Sequence, residues 1–490
     1  MSQYSYHNFM FPFQWRIQGF GNKIFSEQIS LENIHFSVGS NWERQVVQTK
    51  ENENDDLYNE RNYYYEFVHD ALYDNGKADS LIRHFERKEP KHGEVTYNID
   101  CGTKVYELKV NSINLNLYST GVGVLSFYLS NEKYPEPADV LKINQAGRRI
   151  FPPFISSVKF RGIIAHSIEI QGLHGRETGY KEDFSRYTNK TPSNTPASFI
   201  ADLIHEIAQN IDLKPVVDDR MFVQSWYKND DWVNEFKGAD YQKFVNSNKW
   251  YEFVFVDDLG DLSCQNEEMQ HEIIKKATYP RWQKYGSLYG ISRYSMVYAT
   301  NMGCYDFLLQ NFETEYARMA EMILVQKASV LRFSAEVTHI SNMEEKRGFT
   351  EKVSSLYKEY IRFVNQIHFR EVSAQDQGIE MYNMLYDVMN LKEHVEKLDA
   401  EISELYDYVT LREDRKGNHT MNLLTWIATI ALPITVIAAV FGMNNVELNG
   451  SESLCNILWY NSGFYQVIIL IASTIFTIVG ILLIKDRRLK

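Results

Sequence analysis

TVIAAVFGMNNVELNG, residues 435–450, carries an apolar helical run to an abrupt end on Gly442-Met443-Asn444, adds Asn445, and only then admits an acid. The run that ends here, MNLLTWIATIALPITVIAAVF (421–441), contains no charged side chain, and neither does FYQVIILIASTIFTIVGILLI (464–484). Each is about 30 Å long as a helix, the depth of a bilayer's hydrocarbon core. Nothing comparable precedes residue 421, and MSQYSYHNFMF at the start lacks the basic-then-apolar order of a signal peptide. Residues 1–420 are therefore expected to stay on the side of the membrane where they are made.

Charge orients the two spans. REDRKGNH (412–419) and KDRRLK (485–490) are net basic, whereas the 22 residues between the runs hold Glu447 and Glu452 but no Lys or Arg. The positive-inside rule then predicts a multi-pass inner (plasma) membrane protein with both termini cytoplasmic and the loop outside. A net charge of −13 argues against direct nucleic-acid binding, which needs clustered cations. The four cysteines, Cys101, Cys264, Cys304 and Cys455, form no CxxC pair, which argues against a structural zinc site or a disulfide framework.

Upstream, residues 1–305 read as a cytoplasmic mixed α/β domain. TKVYELKVNSINLNLY (103–118) followed by GVGVLSFYL (121–129) predicts a hairpin turning at Ser119-Thr120-Gly121, and KWYEFVFVDD (249–258) and SRYSMVYAT (292–300) predict further strands. PASFIADLIHEIAQNI (196–211) has helical spacing, 173–195 reads as a loop, and the acidic 51–60 as a turn or helix start. Strand signals vanish near residue 307, so 306–420 is expected to be a helical stalk. Within it Val388, Leu391, Val395, Leu398, Ile402, Leu405 and Val409 alternate three- and four-residue spacing, the seam of a coiled coil. Run unbroken from Glu380 into the membrane, that helix would exceed about 90 Å and would need identical neighbours to cover its stripe. The remaining expected segments are a first membrane helix (421–443), an external loop (444–463), a second membrane helix (464–485) and a basic tail (486–490).

Two C-terminal apolar spans, Gly442-Met443-Asn444 closing the first, a long preceding helix and a large α/β domain together resemble the CorA family of metal-ion transporters. The resemblance is specific over about 375–490 and architectural over 1–300. It implies an α+β cytoplasmic domain, a long stalk helix and two membrane helices in a homopentameric funnel: four identical subunits as partners, the lipid bilayer around them, and divalent cations passing through. Five Asn444 side chains would then ring the outer mouth. Magnesium sheds water reluctantly, so neutral carboxamides that bond its hydration shell suit Mg2+ better than a carboxylate cage. Glu447 and Glu452 would gather cations outside. Inward from Asn444 at helical spacing come Thr435, Leu432, Thr429 or Ala428, Thr425 or Leu424, Met421, Asn418 and Asp407. The family likewise places a threonine below its Asn ring, then a hydrophobic constriction, then Asn and Asp rings, and Leu432 and Leu424 would here be gates that close by dewetting. The loop departs from the family's Met-Pro-Glu, reading Asn445-Val446-Glu447-Leu448-Asn449-Gly450, and Ala439 stands where the family often has Gly. Those departures bear on selectivity rather than architecture.

The N-terminal domain offers another ligand chemistry. FMFPFQWR (9–16), AGRRIFPPF (146–154) and YPRWQKYGSLYGISRYS (279–295) mix arginine with aromatic residues, and such side chains either fill a core or stack bases and bind phosphate. These segments are similar to a divergent bacterial branch of CorA-like proteins encoded beside type III CRISPR systems. That resemblance implies an alternative function, a membrane effector of antiviral defence opened by a nucleotide second messenger such as SAM-AMP, with Trp15, Arg148, Arg149, Arg281 and Trp282 as ligand contacts. No GxxxxGK[ST], GxSxG, HExxH or DFG-like set occurs, so the chain is not expected to be an enzyme.

Overall fold

A computed structural model describes residues 3–21, 23–37, 41–47, 55–152, 164–188, 191, 195–237, 247–257, 262–343, 348–442 and 471, with backbone alone at 55–56 and 433–442. Residues 1–406 form one compact unit and those from 407 onward a second.

The first unit is built on a sheet whose described strands are β1 (Ser5–Ile17), β2 (Trp42–Arg44), β3 (Ile82–Arg87), β4 (Thr96–Asp100), β5 (Val105–Tyr118), β6 (Val122–Asn131), β7 (Ser167–Gln171), β8 (Tyr180–Asp183), β9 (Ile211–Pro215), β10 (Phe222–Lys228), β11 (Thr278–Tyr279), β12 (Leu288–Ser292) and β13 (Ser295–Thr300). Their order is β11-β12-β13-β10-β1-β6-β5-β4-β7-β8, with β9 also on β1, and β3, which carries β2, also on β5. Only the β10–β13 pairing is parallel. Central β1 is buried along nearly its whole length, as a strand covered on both faces should be. It is flanked on one side by β6, and on the other by β10 along Ser5–Met10 and then by β9 along Phe13–Ile17. Pro12, which has no N–H to offer, falls at that changeover, where a central strand can tolerate it.

The hairpin expected at 103–129 is present as β5 and β6, paired from Lys109↔Ser130 to Tyr118↔Val122. Gly121 closes it at φ +75°, with its N–H on the Tyr118 carbonyl at 3.0 Å. A side chain there would meet Ile29 at 2.5 Å and Arg332 at 2.6 Å, so backbone angle and space both call for glycine. SRYSMVYAT lies at the β12–β13 hairpin, the helix expected within 196–211 spans Ser198–Ile207, and the acidic segment enters a helix at Asp55–Tyr63.

Within residues 1–305 two expectations fail. KWYEFVFVDD is the helix Asn248–Phe255 rather than a strand, begun by the Ser247 hydroxyl accepting from the Trp250 N–H at 3.2 Å and ended by Val256 at φ 51°. A short apolar run has the same periodicity in a buried strand as in a helix, and the Ser247 cap is the feature that decides it. The loop predicted at 173–195 contains β8, which pairs with β7 and buries Tyr180.

Beyond β13 the described chain is helical: Asp306–Glu313, Glu315–Ser341, Phe349–Gln366, Asp376–Val388 and Leu391–Gly442. Glu315–Ser341 is buried on most of its circumference and packs on β1 and β6. The stalk helix does not run unbroken from Glu380, because Asn390 takes φ 51° between Val388 and Leu391. Nor does its stripe wait for neighbouring copies. Leu391, Val395, Leu398 and Ile402 are each 9% exposed or less within the single chain. Tyr360 donates to the Val395 carbonyl at 3.4 Å, and Tyr406 stacks on Tyr357 at 4.3 Å. From Leu391 to Ile402 the heptad stripe is a buried seam, but the chain's own helices cover it rather than neighbouring copies, and Val388, 37% exposed on the preceding helix, is not part of it.

Candidate functional site

The long helix begins at a built junction. Asn390 donates its side-chain amide to Glu393 at 2.7 Å. Lys327, buried in Glu315–Ser341, donates to the Met389 carbonyl at 3.0 Å and meets His394 Nδ1 at 2.7 Å. Burial, then the charge of Arg293, lowers the Lys327 ammonium to about 8, and burial followed by Lys327 itself lowers His394. At neutral pH a charged lysine thus donates to a neutral imidazole, and the carbonyl at the end of one helix is tied to the first turn of the next.

From Leu391 the helix continues through Gly417 and Pro433 to Gly442. Asp407, Asn418, Met421, Leu424, Thr425 and Leu432 all lie on it and are all exposed in the single chain. Asn418, Thr425 and Leu432 follow one another at seven residues, and Asp407 precedes Asn418 by eleven. Both spacings return to about the same face of a helix, so these four share one stripe. Exposure is not confined to that stripe, since Leu423, Ile427 and Ile430 are also at least 40% exposed. The Thr425 hydroxyl donates to the Met421 carbonyl at 2.8 Å, and that of Thr429 to the Thr425 carbonyl at 2.7 Å. Each hydroxyl proton is satisfied within the helix while the oxygen keeps its capacity to accept. Thr435 and Gly442 belong to the helix by backbone. Met443, Asn444, Glu447, Glu452 and the second apolar run lie outside the described residues, apart from Ile471, which is helical. Among the described residues no helix is long and apolar enough to cross a membrane.

The five residues read as ligand contacts fall into three places. Trp15 is wholly buried in β1, its indole N–H on the Val122 carbonyl at 3.0 Å. Arg148 and Arg149 are buried after the helix Pro137–Gly147, where Arg149 pairs with Asp219, whereas Arg148 donates only to Gln145 at 2.7 Å and the Val256 carbonyl at 3.1 Å. Burial, then the neighbouring charges of Arg149 and Arg220, makes the Arg148 guanidinium a weaker base than usual, and among the described residues its Nε and Nη1 meet no partner. Arg281 is bound on the surface to Glu380 at 2.7 Å and Asp376 at 3.4 Å. Trp282 packs against Tyr279 and Tyr289, with centroids 5.7 Å away in each case.

One polar cluster was not foreseen. Glu321, in the middle of Glu315–Ser341, accepts from Asn116 at 2.5 Å and Tyr118 at 2.7 Å on β5, and Glu60 accepts from Arg318 at 3.3 Å and Tyr73 at 3.0 Å. Burial alone would weaken Arg318 as a base, but Glu60 and Glu321 outweigh it and hold the guanidinium charged. The signal was present in the sequence as ionised side chains inside the apolar run YARMAEMILVQKASVLRF (316–333).

A family model described as CorA-like Mg2+ transporter protein matches residues 308–486. The match takes in the helices from within Asp306–Glu313 onward together with both apolar runs, and over that stretch the chain is similar to the CorA-like family. The resemblance drawn from Gly442-Met443-Asn444 is thereby borne out over residues 308–486. No curated protein matches the chain.

Proposed function

We propose that the chain is one subunit of a homopentameric inner-membrane channel for divalent cations, with Mg2+ as the permeant ion and gating through the domain of residues 1–305. The observation that carries the reading is the single helix Leu391–Gly442, which lies inside the CorA-like match and leads through the uncharged run 421–441 towards the Gly442-Met443-Asn444 sequence. Over 421–432 its apolar side chains Met421, Leu423, Leu424, Ile427, Ile430 and Leu432 are exposed in one chain, and a helix of that kind needs lipid or copies of itself to cover it. Five copies facing an axis would present Thr425 and Thr435 to the ion's water shell, Leu432 and Leu424 as hydrophobic constrictions, and Met421, Asn418 and Asp407 towards the cytoplasm. The threonine geometry supports this role: a hydroxyl that has given its proton to the helix can still accept from a cation's water. Asn444 and Gly442 would form the outer ring, with Glu447 and Glu452 drawing cations to it. The two membrane helices would leave both termini in the cytoplasm.

A second reading, an antiviral effector opened by a nucleotide second messenger such as SAM-AMP, draws on one observation. Arg148 is a buried guanidinium that, among the described residues, has two unspent donor nitrogens and no carboxylate of its own, the condition in which an incoming anion is favoured.

Reconstituted vesicles test both. Divalent flux that is lost or loses its selectivity in Asn444→Ala, with the pentamer intact, is the expected result. Unchanged flux and selectivity would leave Asn444 as a helix cap only. Opening that depends on a nucleotide and is lost in Arg148→Gln would favour the second reading, whereas closure by cytoplasmic magnesium alone favours the first.

A further inference from the structure

A cavity of about 370 Å³ opens where β12 and β13 meet the helices Asp306–Glu313, Glu315–Ser341 and Asp376–Val388. It shares no residue with the Arg148 site. Its inner wall is a stack of Tyr289 on Tyr298, centroids 4.1 Å apart and planes 27° from parallel, with Trp282 at 5.7 Å from Tyr289. At its mouth Tyr305 and Phe307 stack on each other at 5.7 Å and are 73% and 54% exposed. Among its described lining residues none is charged, and the polar groups are hydroxyls, amides and the Cys304 thiol. One of them is not fully spent. The Thr300 hydroxyl is buried close to the Tyr298 hydroxyl and the Cys304 thiol, both of which feel it as a donor, but among the described residues no partner meets it at full hydrogen-bonding distance and angle.

We propose that this cavity binds an uncharged, planar heteroaromatic ring, stacked against the tyrosine wall and bonded along one edge to Thr300. The volume falls in the range of small-molecule sites, which are mostly apolar with a few polar groups that fix orientation. Aromatic walls reward a flat ring through offset stacking. An anion entering a cavity without a cation would give up its hydration uncompensated, so charge is disfavoured. A buried hydroxyl whose bonds are poorly formed is costly, and a ring nitrogen or carbonyl at that point would relieve the cost. Gln377 lines the cavity from the helix that ends at the Asn390 junction, so an occupied site would also brace that helix against the sheet. The inference concerns binding alone and stands or falls apart from ion passage.

Ligand-observed NMR on the full chain in lipid nanodiscs tests it, with inosine, indole-3-carboxamide and quinazolin-4-one as uncharged planar probes. Inosine 5′-monophosphate supplies the charged counterpart. At least one uncharged probe is expected to saturate below about 1 mM. Thr300→Val, which keeps the shape and removes the hydroxyl, should weaken it by about tenfold. Cys304→Trp, which fills the space, should abolish it, with the unfolding midpoint of each variant reporting that the fold is kept. The monophosphate should bind more weakly than inosine. Absence of saturation by every uncharged probe, or binding indifferent to both substitutions, would overturn the proposal. So would a Tyr305→Ala, Phe307→Ala double variant that changes the size of the assembly and leaves probe binding as it was, because the aromatic mouth would then be a contact between copies.

Discussion

Glu313 gives the most direct handle on the energetics of the α/β domain. It closes the helix Asp306–Glu313 and faces a cavity of about 270 Å³ shared with Tyr6, Glu60, Tyr128 and Arg318. Burial raises its carboxyl from the usual 4.5 to about 7. A raised acid binds its proton more tightly in the folded chain than in the unfolded one. Its contribution is therefore complete below the unfolded value and is lost as pH climbs through the folded one. At ~1.4 kcal/mol per pH unit this span is worth about 3 kcal/mol, and the solvent that reaches the side chain reduces it to about 2 kcal/mol. Glu313→Gln cannot ionise, so the variant should match the natural chain near pH 4.5 and exceed it by about 2 kcal/mol at pH 7.5. Urea unfolding followed by tryptophan emission, repeated across that range, measures the difference. If the two stability curves run parallel from pH 4.5 to 7.5, Glu313 is not held protonated and the reasoning fails.

Two further substitutions probe the helical region. Leu398→Ala, at a position 1% exposed on the upper seam, should cost about 2–5 kcal/mol, and the loss should stay constant over a hundredfold range of protein concentration; a loss that vanishes on dilution would return the seam to contacts between copies. Lys327→Met keeps the bulk and removes the donor to the Met389 carbonyl, so amide exchange at residues 389–394 should quicken by about tenfold, the worth of one charged hydrogen bond, while exchange in β1 and β6 is unchanged; equal exchange at the junction would show that Lys327 does not hold it.

What the sequence disclosed follows from where its signals are local. The β5–β6 hairpin was legible because strict alternation on both strands meets at a glycine that only a tight turn requires. The helical start at residue 306 was legible for the same reason, since period and composition change within a few residues. The errors arose where a local pattern has two solutions. Trp250, Tyr251, Phe253 and Val254 would be buried as strand or as helix, and a single serine before them settles the matter. The heptad stripe showed that a face must be covered but could not say by what, because a heptad reads the same whether its partner is a second copy or Tyr357 and Tyr360 of the same chain. The ligand candidates show a further limit. Arginines and aromatics adjacent in sequence were grouped by composition, and folding sends Trp15 to the core, Arg281 to Glu380 and Arg148 to an unpaired interior position. The tyrosine-lined cavity, assembled from β12, β13 and three helices, has no local signature at all.

On the proposed channel reading, gating that starts in the first unit leaves it along the helix Leu391–Gly442, and among the described residues that helix has a defined origin. A helix of 52 residues extends for about 78 Å, and hydrogen bonds along its length make it resist bending far more than the junction where it begins. Asn390, at positive φ between two helices, interrupts that stiffness, and the constraints on its orientation are few and identifiable: Lys327 on the Met389 carbonyl, Lys327 with His394, and Asn390 with Glu393. A ligand that stabilises one arrangement of these groups over another shifts the helix by the difference in its affinity for the two, and by no more. The same reasoning explains why a lysine is worth burying there. A methionine would pack as well, but it could not hold a carbonyl and an imidazole on opposite sides of a bend, and a junction without that tie would transmit little of what the sheet and its ligands do.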